Sequence, residues 1–142
     1  MNWIGLLLIS ITGYGFSNAL VRYYSTRISP LMGAILLTSG ALATALIVLL
    51  IQSFSGGKMP TPGKDTVITG LLSGVFFTGA VLFYNTTLSR NVPLSIALPI
   101  LVGGIGVAGV IAGVAVFHES LSVMKFIGIV VIIIGTTVLA RG

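Results

Sequence analysis

The sequence predicts an all-α membrane protein, a bundle of five transmembrane helices forming one domain over residues 1–142. Three observations predict it. Charged residues make up 6% of the chain, against roughly 25% in a soluble domain, so charge cannot cover its surface. The 7 Lys+Arg and 2 Asp+Glu also cluster, and leave long uncharged stretches at 1–21, 28–57, 66–89, 91–118 and 126–140. Finally, Ile4–Ile11 and Ile129–Ile134 are near-continuous apolar runs, without the two-residue alternation of a membrane β-strand. An ordinary cytosolic enzyme and a disordered tail are excluded by the same numbers. The absence of Cys excludes a disulfide scaffold.

A helix needs about 20 apolar residues to cross a hydrocarbon core of about 30 Å. The first span is expected near 3–22. Trp3 and the Tyr23–Tyr24 pair bracket it, about 30 Å apart along a helix and matched to the two aromatic belts. No basic side chain lies in Met1–Gly5, and the apolar stretch is too long for a cleaved signal sequence. The second span, near 30–52, starts at Pro30, whose missing N–H costs nothing in a first turn. Ser55–Gly63 is a turn-rich polar loop. The third span is expected near 67–88. The fourth, near 93–117, starts at Pro93. The fifth, near 123–140, is long enough if Lys125 snorkels from its first turn. The remaining connections are short, so consecutive helices are antiparallel neighbours.

Five spans put the termini on opposite sides. One side holds Lys58, Lys64 and Lys125; the other holds Arg22, Arg27, Arg90 and Arg141. The Lys/Arg bias sets orientation, and three against four is close to no bias. Two readings fit: one charge dominates and fixes the topology, or copies insert both ways in dual topology.

Helices in lipid associate through small residues. Gly70 and Gly74 form a GxxxG pair in the third span. Gly106, Gly109 and Gly113 share a face of the Gly-rich fourth. Gly128 and Gly135 lie seven apart in the fifth. These seven are the expected helix-packing positions. Polar side chains within the spans are the expected substrate cavity. Ser10, Tyr14, Ser17 and Asn18 share one face of the first span, and Tyr84 and Asn85 end the third. Ser95 and Pro99 stand in the fourth, where Pro99 frees a carbonyl about one turn back. A lone Ser or Thr more often bonds back to its own helix. Asn18, Asn85, Tyr14 and Tyr84 need partners away from lipid. No Asp, Glu, Lys, Arg or His sits mid-span, so no buried proton relay is evident. Glu119 is expected as a structural end-of-helix residue, capping a turn or pairing with Lys125. No metal-ligand cluster, nucleotide loop, cofactor site or catalytic set is present. The net charge of +5 belongs to the membrane faces, so nucleic acid is not an expected partner.

The order of these features resembles the EamA domain of the drug/metabolite transporter superfamily. Gly13-Tyr14-Gly15-Phe16-Ser17-Asn18 followed by Ile28-Ser29-Pro30 is similar to that domain's opening. Phe83–Leu88 is similar to its Tyr-rich end of helix three, and Val92–Pro99 to its Pro-containing start of helix four. His118-Glu119-Ser120-Leu121 looks like its Glu-x-Leu step, and Gly128 and Gly135 like its last-helix glycines. The resemblance implies a transporter of small metabolites working by alternating access, with ten helices built from two inverted five-helix repeats. It places Tyr14, Asn18, Tyr84, Ser95 and Pro99 along the cavity. One repeat is present here, and the simplest completion is an antiparallel homodimer. The related four-helix multidrug proteins use a helix-one carboxylate; the corresponding region here offers Ser10 and Tyr14.

The expected function is therefore a membrane transporter half, an integral multi-pass protein of a bacterial or archaeal cell membrane. It would act as an antiparallel homodimer on small neutral or zwitterionic metabolites. Two alternatives stand beside it: a lipid-linked sugar flippase subunit using Arg22, Arg27 and Arg90 at the headgroups, or a non-transporting or heterodimeric accessory subunit.

Overall fold

The computed structural model describes residues 3–56 and 61–141. The expected loop charge Lys58 lies outside the described residues. Five helices form: α1 Trp3–Ser25, α2 Pro30–Phe54, α3 Lys64–Ser89, α4 Leu94–Ala115 and α5 Val123–Arg141. No strand occurs among the described residues. All five helices are long and apolar enough to cross a membrane, so the chain is an all-α membrane protein.

The helix ends show why the boundaries fall where they do. α1 continues past Arg22 to Ser25, because the guanidinium does not turn to solvent. Its Nη1 donates 2.8 Å to the Leu88 carbonyl at the end of α3, which leaves Tyr23–Ser25 free to complete another turn. Ser29 caps α2, its hydroxyl accepting from the Met32 N–H at 3.3 Å, with Pro30 as the first helical residue. α3 starts at Lys64, before the expected 67, and Asp65 in its first turn suits the positive end of the helix dipole. It stops because Asn91 turns left-handed at φ 63 and its N–H donates back to Leu88 O at 3.1 Å. That is a helix C-cap with Asn in the place usual for Gly.

α4 ends at Ala115, short of the expected 117. His118 adopts φ 54, and the Glu119 N–H reaches back 3.0 Å to Gly113 O. Ser122 opens α5, its hydroxyl accepting from the Lys125 N–H at 3.3 Å. The Lys125 ammonium folds back to Ser120 O at 3.1 Å, away from the apolar run behind it.

The chain divides into two compact units, Met1–Asn91 and Val92–Gly142. In the first, α1, α2 and α3 pack together. Its buried residues are Val21 and Ser25 of α1, Gly33 and Ala34 of α2, and Val81, Asn85 and Leu88 of α3. Chain direction brings these three helix ends to the same end of the unit. Its core therefore sits there, and the opposite halves of the helices turn apolar residues such as Leu7, Ile47 and Phe76 outward. In water such a surface would drive aggregation; in a bilayer it faces acyl chains. In the second unit α4 packs on α5, with Ala97 and Gly113 buried.

Arg22 is the clamp between α1 and α3. Arg22→Met keeps the apolar stem and strips Leu88, which is fully buried, of its charged donor. The expected cost is about 1.5–3 kcal/mol, the range for hydrogen bonds to charged groups. It is read as a lower thermal unfolding midpoint in detergent. Arg27→Met, which loses only a ring contact at the surface, serves as the reference.

Candidate transport site

The residues expected to line a cavity occupy different surroundings. Tyr14 is exposed on α1. Asn18 donates its amide N–H to Tyr14 O at 2.7 Å, one turn back, which leaves its carbonyl oxygen as the free polar atom. Ser17 lines an open groove of about 420 Å³ between α1 and α2, facing Leu37, Gly40, Ala41 and Thr44. Ser10, on the same α1 face, bonds to Leu6 O at 3.0 Å.

On α3, Tyr84 is half-buried, and its hydroxyl is enclosed with no hydrogen-bond partner. A phenol hidden from water without a partner is costly, so this O–H is poised for an acceptor. Asn85 is 1% exposed. Its Nδ2 donates to Val81 O at 2.9 Å, while Oδ1 has no conventional partner. That oxygen lies 2.9 Å from the point a Cβ would occupy on Gly33. It therefore faces the glycine Cα–H, a weak acceptor contact of the kind found where helices cross closely. Asn85 thus sits inside the α2–α3 crossing, and Ser17 in the α1–α2 groove. Ser95 is exposed and Pro99 half-buried; both belong to α4, where the proline ring leaves the Ser95 carbonyl without a helical N–H.

The basic residues divide in role. Arg22 is held by Leu88 O. The Arg27 guanidinium lies 3.8 Å over the Tyr23 ring centroid, a cation–π contact. Arg90 forms the C-cap position of α3. The Glu119 carboxylate rests on Gly113, 3.1 Å from where its Cβ would lie, and 3.8 Å from the Lys125 ammonium. Both partners are about half exposed, so the pair adds little stability. Among the described residues no three His, Asp or Glu side chains gather to hold a metal.

The glycines separate in the same way. Gly113 meets Glu119, and Gly106 touches only the Ile132 Cδ1 at 4.0 Å. Gly70, Gly74, Gly109, Gly128 and Gly135 have nothing within 4 Å. Among the described residues, the glycine Cβ positions nearest to another helix are those of Gly33 and Gly103. Gly103 belongs to the Gly-rich run of α4. Gly33 stands alone in Met32-Gly33-Ala34, and its one signal in the sequence is a small pair just after the Ser29-Pro30 helix start.

The EamA-like transporter family matches residues 1–141. The chain belongs to this family. No curated protein and no solved structure matches it. An EamA-like chain with five membrane-length helices is an integral multi-pass membrane protein of a transporter family. The polar side chains described above are thereby candidates for handling a solute.

Proposed function

We propose that this EamA-like chain is one half of a ten-helix transporter. It works as an antiparallel homodimer and moves small neutral or zwitterionic metabolites across the cell membrane by alternating access. The observation that carries the reading is the division of Lys and Arg between the two membrane faces, Lys58, Lys64 and Lys125 against Arg22, Arg27, Arg90 and Arg141. With so little bias, neither orientation is favoured, and two oppositely inserted copies reproduce an inverted repeat. Glycines whose would-be Cβ meets no atom of the described residues within 4 Å support it. Gly70, Gly74, Gly109, Gly128 and Gly135 offer the close-approach surface that helices in lipid need.

The side chains proposed to meet the solute are Tyr14, Ser17, Asn18 and Tyr84 of the first unit and Ser95 and Pro99 of the second, while Asn85 stays buried in the α2–α3 crossing. They present hydroxyls, an amide and a freed carbonyl and no formal charge. A solute carrying net charge would be left unpaired there, which favours neutral or zwitterionic substrates.

Orientation tests the dimer directly, because the chain has no Cys. A single Thr26→Cys variant, labelled in intact cells and in inverted vesicles with an impermeant maleimide, is expected to react from both sides. Reaction from one side only overturns the antiparallel homodimer and leaves a fixed-topology accessory subunit or heterodimer. The cavity is tested in proteoliposomes over a metabolite panel. Asn18→Leu and Tyr84→Phe are expected to lower flux without lowering expression or the thermal midpoint, and Tyr84→Phe, which removes an unpartnered buried hydroxyl, is expected to raise the midpoint slightly.

A second reading, a lipid-linked sugar flippase, is favoured by Arg27 stacked on Tyr23 at the membrane face. A labelled lipid-linked sugar in the same liposomes distinguishes it from a soluble metabolite.

A further inference from the structure

Three polar contacts between helices of the first unit gather at one end of it. Arg22 reaches Leu88 O at 2.8 Å, the Tyr24 hydroxyl donates to Gly33 O at 3.3 Å, and Asn85 Oδ1 presses on Gly33. Every buried residue of α1–α3 lies there too. From that pinned end α1 and α2 part into the open groove in which Ser17 faces Gly40 and Ala41. Gly40 has no atom within 4 Å of its would-be Cβ, so space lies open beside it in the groove, although both helices present small side chains there.

We propose that the crossing at Gly33 is a pivot, and that α1 swings on it to close the wedge against Gly40 and Ala41 of α2. The energetics suit a two-state part. An open apolar wedge in lipid is filled by acyl chains at little cost, because no hydrophobic force drives helices together there. Closure gains only the packing of small residues against one another. The two arrangements therefore lie close in energy, and a modest difference in solute or lipid contact moves the balance. At the pinned end the situation is different. Separating α1 from α3 would take the charged Arg22 donor from the Leu88 carbonyl and leave the guanidinium without that partner, and separating α2 would strand the Tyr24 hydroxyl. That end moves as one body, and the opposite ends carry the displacement, as in hinge closure elsewhere.

This inference rests on the transport reading only for its purpose, and not on the dimer. Its test reads the geometry of one chain, so absent flux and an absent hinge are distinguishable.

The experiment uses spin-label pairs on the full chain in lipid nanodiscs, diluted with unlabelled chain so that only intrachain distances count. Ile9 and Val48 report the wedge end; Thr26 and Asn91 report the pinned end. The expected result is a broad or two-peaked distance distribution for Ile9/Val48 and a single narrow one for Thr26/Asn91. Two equally narrow distributions, or two equally broad ones, overturn the pivot. Should the label pairs disturb folding, the double variant Ser17→Cys/Gly40→Cys gives an independent reading. A disulfide needs Cβ atoms about 3.8 Å apart, and no atom lies within 4 Å of a Cβ on Gly40. Oxidant is expected to consume both thiols in an intrachain bridge, and Ala41→Phe, which wedges the helices apart, is expected to prevent it. No bridge, or bridges only between chains, overturns closure.

Discussion

Gly33→Leu is expected to collapse the stability of the α1–α3 unit, while Gly40→Ala, seven residues along the same helix, is expected to raise it slightly. At Gly33 a Cβ would lie 2.9 Å from Asn85 Oδ1 and 2.9 Å from the Tyr24 ring. Neither atom is free to retreat. Asn85 is buried and tied to Val81 O at 2.9 Å, and the Tyr24 hydroxyl is tied to the Gly33 carbonyl. Even Gly33→Ala forces a shift there, with an overpacking cost of about 1–3 kcal/mol. Its gain of about 1 kcal/mol in helix propensity offsets part of this. Leucine adds three more carbons to the same space and is expected at about 3 kcal/mol or beyond. At Gly40 nothing lies within 4 Å, so alanine keeps the propensity gain of about 0.4–1 kcal/mol. Thermal midpoints in detergent are expected to move in opposite directions. Equal falls for both variants would mean that the crossing does not bear on Gly33.

The contrast between these two glycines shows where sequence reasoning reaches and where it stops. The five helices were legible because a bilayer imposes a simple demand: about 20 uncharged residues per span, with aromatic and prolyl punctuation at the ends. That demand acts within each segment. Which glycine faces a neighbour is decided by a second segment far along the chain. Gly70 and Gly74 carry the GxxxG spacing yet meet nothing within 4 Å; Gly33 carries no motif and meets two side chains. Arg22 reads as a topology charge, and its bond to Leu88, 66 residues away, has no local signature. Asn85 and Tyr84 were legible as polar groups needing shelter. That Asn85 finds it against a glycine Cα, while the Tyr84 hydroxyl finds none, follows from the crossing geometry alone. The left-handed turn at His118 follows the end of α4 at Ala115, short of the 117 to which apolarity by itself would have carried it.

The second unit offers the sharper mutational test, because its crossing can be relieved as well as broken. Gly103→Ala is expected to destabilise the α4–α5 pair, and Thr136→Ala is expected to rescue it. A Cβ on Gly103 would stand 2.7 Å from Thr136 Cγ2 and 3.0 Å from Ile132 Cγ2. Both neighbours are β-branched and stiff at χ1 within a helix. Thr136 is further fixed by its hydroxyl, which donates to Ile132 O at 2.9 Å and Ile133 O at 3.0 Å. The helices must therefore separate to admit the methyl. In lipid that loss is not recovered by hydrophobic pressure, since close packing is most of what holds the pair. The expected cost is about 1–3 kcal/mol. Removing Cγ2 by Thr136→Ala vacates the closest contact, so the double variant is expected to recover most of the loss. The pair should then show a coupling of about 1–2 kcal/mol in a double-mutant cycle of detergent unfolding. Gly104→Ala, one residue on with nothing within 4 Å, is expected to need no rescue and to show no coupling to Thr136. Additive effects of Gly103→Ala and Thr136→Ala would show that the threonine methyl does not limit how closely α4 and α5 approach.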